Sequence, residues 1–416
     1  MIAVAESDSY LKWAVSLLAQ LPSSARVDIV LACSPLRPSS SQRIAALAGS
    51  GYAGYVPEVL SPAQLRHRVE RDRPDVVLLA CTGPSAHAYQ EALASASHRP
   101  VLLAGVPGIA LPARPRAWAY RGAIDLFVVH SRREVEQYDR LRVLAGKSGR
   151  LGLATLPFLP PPSSQVPLSN RVPLNNRVLF ATQAIVPQSR RERVAILLAL
   201  DQLAANRPDL RVVVKTRGRP GEFHTHHEAH HYADLWRHLV ASGQVRDREA
   251  VGFVTGSMAE QLRDAAALVT VSSTAVLEAI ALDLPVLLID EFGVNEALLN
   301  EVFADSAALA GLEALRRGDF RRPDPGWRDD NYFHPAKDNT WIETLGELVV
   351  MAHDHRLPPI VEGLDQGRSA RRRQIDRLRL TPAGTALVRG RQRLKKQLLR
   401  NSQGLPRSVR HDPLGR

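Results

Sequence analysis

Two doubly wound α/β domains and a basic tail are what this sequence predicts, and three observations carry the expectation. Short apolar runs bounded by turn residues alternate with longer amphipathic stretches through residue 156. A proline-rich break follows at 157–174, and the alternation resumes from residue 175 to residue 290, after which the pattern loosens. Near-continuous Val, Ile and Leu runs mark strands buried on both faces, as in parallel sheets covered by helices.

MIAVAES opens as a strand, and residues 10–20 follow as a helix. RVDIVLACS, the shorter GYVPEVL, DVVLLACTG, PVLLAGVPG and DLFVVHS supply further strands, with helices such as SPAQLRHRVERDR between them. Pro157, Pro160, Pro161, Pro162, Pro167 and Pro173 then forbid a continuing helix or central strand, which places the domain boundary there. The second half reads RVLFATQ, DLRVVVKTRG, AVGFVTG, ALVTVSS and LPVLLID as strands. Its helices are expected over 190–206, 232–242, 258–266 and 274–282, and another over 341–353. The expected organisation is therefore 1–156, an acceptor-binding Rossmann-like domain; 157–174, a linker; 175–355, a donor-binding Rossmann-like domain; and 356–416, a basic extension.

Charge is unevenly placed. The chain of 416 residues carries a net +12, yet residues 366–416 hold 15 Lys and Arg against two Asp, leaving the remainder near neutrality. Such a tail suits an anionic membrane or polymer, and the absence of Phe, Trp or Tyr in it argues against nucleic acid, whose bases stack on aromatic rings. Cys33 and Cys81 sit in apolar runs and read as small buried hydrophobes in a reducing compartment. MIAVAESDSY lacks the basic flank of a secretory leader and no run is long enough to span a bilayer, so a cytoplasmic protein is expected, with peripheral contact at the inner membrane face.

The densest chemical signal is VTVSSTAVLEAIALDLPVLLID, residues 269–290. Ser272, Ser273 and Thr274 end a strand and open a helix, where hydroxyls and backbone N–H groups can receive phosphate. Glu278 follows one helical turn on, placed to accept ribose hydroxyls, and Asp283 is expected in a left-handed turn. This segment resembles the donor site of GT-B glycosyltransferases, especially those making bacterial capsule or sialic-acid polymers, in which a strand ends in Ser-Ser or Ser-Thr and an E-A-x-A helix leads to x-P-V. The resemblance covers residues 176–310, and the whole chain resembles a family of bacterial glycosyltransferases whose biochemistry is not established. It implies a GT-B-like fold, with two Rossmann-like domains facing a cleft. The implied substrates are a nucleotide-sugar donor and a glycan or lipid-linked acceptor in cell-surface polysaccharide synthesis. No cofactor and no metal are expected, the nucleotide-sugar being a substrate.

Lys215, Arg217 and Arg219 place cations at or beyond a strand's C-terminal end, where a diphosphate needs them. Related transferases often carry a His-Pro pair nearby; here the sequence continues Gly221, Glu222, Phe223, His224, so that a donor contact falls to Glu222 and His224. Thr182 with Gln183, Gly256 with Ser257, and Asp290 with Asn295 occupy comparable strand ends. For the base that deprotonates an acceptor, the first strand end offers Asp8 ahead of Glu6, and His130 is a third choice. The turns Thr82 to Ser85, Pro107 to Ile109, and His130 with Ser131 are expected to meet the acceptor.

Three alternatives share the scaffold or the motifs. HTHHEAHH, residues 224–231, contains an H-E-x-x-H match at His227, Glu228 and His231, the pattern of a zinc hydrolase. A nucleotide-sugar epimerase or polyol-phosphate transferase uses similar halves, the epimerase with more acidic and His residues in its first loops. A binding protein can also retain the fold without catalysis.

Overall fold

The computed structural model describes residues 1–159, 176–216, 228–245, 247–360 and 370–391. The first sheet comprises β1 (Ile2–Ala5), β2 (Asp28–Ala32), β3 (Val59–Leu60), β4 (Val76–Ala80), β5 (Val101–Gly105), β6 (Leu126–Val129) and β7 (Arg150–Leu153). Between them run α1 (Asp8–Leu18), α2 (Ser40–Leu47), α3 (Pro62–Asp72), α4 (Gly83–Leu93), α5 (Pro115–Tyr120) and α6 (Arg132–Leu144). The strand order is β3-β2-β1-β4-β5-β6-β7. β1 pairs in parallel with β2 (Ile2 opposite Asp28) and β4 (Ile2 opposite Val77), so the order reverses at the β1/β4 edge.

The second sheet comprises β8 (Arg177–Ala181), β9 (Arg211–Lys215), β10 (Val251–Val254), β11 (Ala265–Thr270), β12 (Val286–Ile289) and β13 (Leu309–Ala310), in the order β10-β9-β8-β11-β12-β13. Its helices are α7 (Arg190–Asn206), α8 (Tyr232–Ala241), α9 (Met258–Arg263), α10 (Ala275–Ala281) and α11 (Leu312–Arg317), followed by α12 (Pro325–Asp330), α13 (Trp341–His353) and α14 (Ala370–Arg379). Reversal here falls between β8 and β11. Alternate residues enter opposite layers: Val178 and Phe180 pack with Ile196 and Leu200 of α7, while Leu179 and Ala181 pack with Val276 and Ile280 of α10. Both faces of the sheet are thus covered, which explains the unbroken apolar runs.

Two Rossmann-like parallel sheets are the fold class that the sequence predicts. The details differ in places. β7 and β13 add strands that the apolar pattern does not announce, since one is RLGL and the other two residues long. Gly152 on β7 has no side chain because a Cβ there would lie 2.7 Å from the Cβ of Trp341. The helix expected to reach residue 266 stops at Arg263, and β11 begins at Ala265. Contacts divide the chain into two compact units, one of residues 1–104, 119–124 and 348–416, the other of 105–118 and 125–347. The described C-terminal residues 370–391 therefore group with the first strands, and most of the proline-rich linker lies outside the described residues.

Candidate functional site

In open α/β sheets the crevice at the strand-order reversal, beyond the C-terminal strand ends, is where ligands bind. The two sheets treat this position differently. In the first, Glu6 follows β1 and is buried. Its Oε1 accepts from the hydroxyls of Ser34 (2.7 Å) and Ser85 (2.5 Å), and its Oε2 accepts from the Thr82 backbone N–H (2.7 Å). One carboxylate thus ties the turns after β1, β2 and β4 together and occupies the entrance of α4. This is the anion that such a helix start attracts, supplied by the protein itself.

In the second sheet the reversal carries uncharged groups. Thr270 donates its hydroxyl to the Ala181 carbonyl (2.8 Å), and Ser272 donates to the side-chain oxygen of Gln183 (2.8 Å), joining the ends of β11 and β8. Ser273 is half-buried and its hydroxyl accepts from the Ala275 N–H (3.3 Å). Thr274, the N-cap of α10, is exposed and its side chain makes no capping bond. Half-buried Glu278 stands in the first turn of α10, and half-buried Lys215 ends β9, its carbonyl accepting from the Thr182 N–H (3.1 Å). Ser272, Ser273, Thr274, Gln183 and Lys215 therefore lie at or just beyond the C-terminal ends of the neighbouring strands β11, β8 and β9, and Glu278 lies one turn into α10. Asp283 has φ 57°, the left-handed turn expected of it, and its carboxylate lies 3.4 Å from Arg322 and 3.6 Å from Arg328.

A glycine from outside the second sheet also reaches this place. Gly108, in the loop after β5, has φ +125°, and a Cβ built on it would lie 3.6 Å from the Thr274 methyl. Sequence reasoning missed the group that holds this loop. Glu134 of α6 is fully buried; its Oε1 accepts from the Ala110 N–H (2.8 Å) and the Tyr332 hydroxyl (2.6 Å), and its Oε2 accepts from the His130 N–H (2.7 Å). Burial raises the Glu134 pKa, against the lowering effect of these donors. The signal was a Ser-x-x-Glu start at Ser131, which in fact caps α6 by accepting from the Glu134 N–H (3.0 Å).

The other expected site residues are scattered. Asp8 is the first residue of α1 and half-buried; the cap is Ser7, whose hydroxyl accepts from the Tyr10 N–H (3.4 Å). His130 is fully buried, its Nδ1 2.9 Å from the Ala154 carbonyl, and desolvation lowers its pKa to about 4. Ser257 caps α9 by accepting from Glu260 N–H (3.2 Å), next to Gly256 at φ 105°. Asp290 accepts the Gly293 N–H at its carbonyl (2.7 Å), and Asn295 caps its own turn through Leu298 N–H (3.2 Å). Arg217, Arg219, Glu222 and His224 lie outside the described residues.

The zinc pattern fares differently. His227 lies outside the described residues, but Glu228 pairs with Arg193, and the His231 ring caps α8 by accepting from Ala233 N–H (3.2 Å). Arg193 is buried and also donates to the carbonyls of Pro187 (2.7 Å), Ala184 (2.7 Å), Gln183 (3.1 Å) and His230 (2.7 Å). Its guanidinium carbon lies 4.8 Å from the Tyr232 ring centre. Glu228 is thus the counter-ion of a structural arginine. Among the described residues, no group of three or more His, Cys, Asp and Glu is placed to hold a metal ion. Cys33 and Cys81 are buried thiols, and no helix among the described residues is long and apolar enough to cross a membrane.

Residues 1–348 match the model of the family described as "Putative glycosyltransferase (DUF6716)". No curated protein matches in sequence. Among solved structures, the chain is similar to S. aureus MnaA in complex with UDP, at 10% identity and TM-score 0.54, over 85% of this chain and 96% of that one. It is similar also to Arabidopsis thaliana UGT89C1 complexed with quercetin (13% identity, TM-score 0.51, 84% and 99% covered). A third is the Neisseria meningitidis UDP-GlcNAc 2-epimerase bound to UDP-GlcNAc (11% identity, TM-score 0.50, 83% and 99% covered). These likenesses establish a shared GT-B-like fold.

Proposed function

We propose, for a chain that belongs to the family described as "Putative glycosyltransferase (DUF6716)", that it transfers a sugar from a nucleotide-activated donor to a glycan or lipid-linked acceptor. The observation that carries this reading is the contrast between the two strand-order reversals. Glu6 fills the first with the protein's own carboxylate, whereas the second presents Gln183, oriented by the buried Ser272, and the exposed Thr274 to an incoming anion. That two of the similar structures hold UDP or UDP-GlcNAc supports a nucleotide-sugar substrate.

In this mechanism the donor diphosphate takes hydrogen bonds from the hydroxyls of Ser273 and Thr274 and from the Gln183 NH2 group that Ser272 orients, and Glu278 accepts from the ribose hydroxyls. Lys215, joined by Arg217, offsets the charge that develops on the departing diphosphate. The acceptor oxygen bonds to the anomeric carbon, the bond from that carbon to the diphosphate oxygen breaks with its electron pair leaving on the nucleotide, and the acceptor proton passes to Asp8. Asp8 is preferred because Glu6 and His130 are buried and already hydrogen-bonded. Resemblance to capsule-polymer transferases supports cell-surface polysaccharide as the acceptor class.

Phosphorus NMR on mixtures of the protein with nucleotide-sugars tests the reading. Transfer, or slow transfer to water, releases free nucleotide at a rate that collapses in Asp8→Asn. Conversion of one nucleotide-sugar into an isomer with the nucleotide still attached would instead establish an epimerase.

A further inference from the structure

The last described residues are fastened to the first unit as two helices. α14 carries Arg377, which makes a two-pronged ion pair with Glu91 of α4, Nε to Oε2 at 3.0 Å and Nη2 to Oε1 at 2.9 Å. Residues 382–391 form the second helix. There Thr385 is buried, donates to the Arg379 carbonyl (2.8 Å) and lies 3.6 Å from the Cys33 sulfur. Arg389 donates to the carbonyls of Pro35 (3.4 Å) and Arg37 (2.7 Å). A solvated tail would not need such anchors.

Large apolar side chains on these anchored helices nevertheless point to water. Leu378 is 56% exposed, Leu387 64% and Ile375 39%, and Leu36, beside the carbonyls that hold Arg389, is 42% exposed. Ile375 and Leu378 are one turn apart on the same side of α14, while Arg377 is turned to Glu91. Around them the sequence is strongly basic: residues 370–391 contain seven Arg and one Asp.

We propose that this face docks on the surface of an anionic lipid bilayer. Exposed aliphatic residues on basic helices meet two needs at once at such a surface: the charges stay among acidic headgroups while the apolar side chains enter the acyl boundary. A polysaccharide or nucleic acid would answer the charge alone, having no hydrocarbon layer for Ile375, Leu378 and Leu387. The inference goes beyond the transferase reading and does not depend on it.

Sedimentation of the full-length protein with vesicles tests it, using phosphatidylcholine alone and phosphatidylcholine with phosphatidylglycerol. Binding is expected with the anionic vesicles only. It should fall about tenfold or more in Ile375→Ser/Leu378→Ser, whose charge is unchanged, and weaken likewise in Leu387→Ser. Melting temperatures should stay at the wild-type value, because these side chains are exposed. Absence of wild-type binding to anionic vesicles overturns the proposal. So does binding that ignores the apolar substitutions and is matched by a soluble polyanion such as RNA, since charge alone would then explain it. Nucleotide binding, measured without lipid, reports separately on the transferase reading.

Discussion

Ser272 donates its hydroxyl proton to the side-chain oxygen of Gln183 across 2.8 Å, and this bond joins β11 to β8 where the second sheet reverses its strand order. A carboxamide whose oxygen is engaged turns its NH2 group away as a donor, which is what an incoming phosphate or uridine oxygen requires. Ser272→Ala should leave the fold intact and release that orientation. One net hydrogen bond contributes about 1 kcal/mol, so nucleotide affinity should fall roughly fivefold to tenfold by calorimetry, with little change in melting temperature.

Glu6 and Asp8 stand two residues apart and should separate stability from catalysis. Glu6→Ala strands a backbone N–H and two hydroxyls, and it should cost on the order of 2–4 kcal/mol in chemical denaturation. Asp8→Asn leaves the Ser7 cap in place and should melt like the wild type. Its turnover should drop by about 10²–10⁴, the range for loss of a general base. The opposite pattern would move the base to Glu6.

Gly108 sits at φ +125°, where a residue with a side chain is strained even in ordinary van der Waals contact with Thr274. Gly108→Ala should destabilise the protein by about 1–3 kcal/mol through the backbone alone. Relaxation of the loop should also shift the Thr274 contact and weaken donor binding. A denaturation midpoint equal to wild type would contradict the assigned backbone conformation.

His130 predicts an acid-sensitive limb of stability. Its pKa falls from 6.5 to about 4 on folding, chiefly by burial, so between those values the folded state binds fewer protons than the unfolded one. Stability is then full above pH 6.5 and is lost as the pH drops towards 4, by on the order of 3 kcal/mol. Glu134, with a raised pKa, acts in the opposite direction, and the difference between wild type and His130→Asn isolates the histidine. That difference should shrink by on the order of 3 kcal/mol as the pH falls from 6.5 to 4.

Much of the architecture was legible because parallel strands buried on both faces write continuous apolar runs, and α7 and α13 begin and end where the sequence says. β7 and β13 were not, since RLGL and Leu309–Ala310 owe their strand state to a neighbour's hydrogen bonds. The Ser272 to Thr274 segment was visible from its position at a strand end. Glu6, Glu134, His130 and Arg193 show the limit: each is a polar residue at a plausible site position, and only burial and partner geometry reveal that its bonds are spent within the fold. Arg193 carries a faint sequence signal, an arginine on the buried side of an otherwise aliphatic helix.

The most direct measurement is titration calorimetry of the full chain with UDP, GDP, CDP, ADP and CMP. The account predicts that at least one binds, and that binding of it weakens in Ser272→Ala and Lys215→Ala while remaining unchanged in Asp8→Asn. No binding by any of the five, or binding indifferent to both Ser272 and Lys215, would contradict a donor site at the reversal of the second sheet.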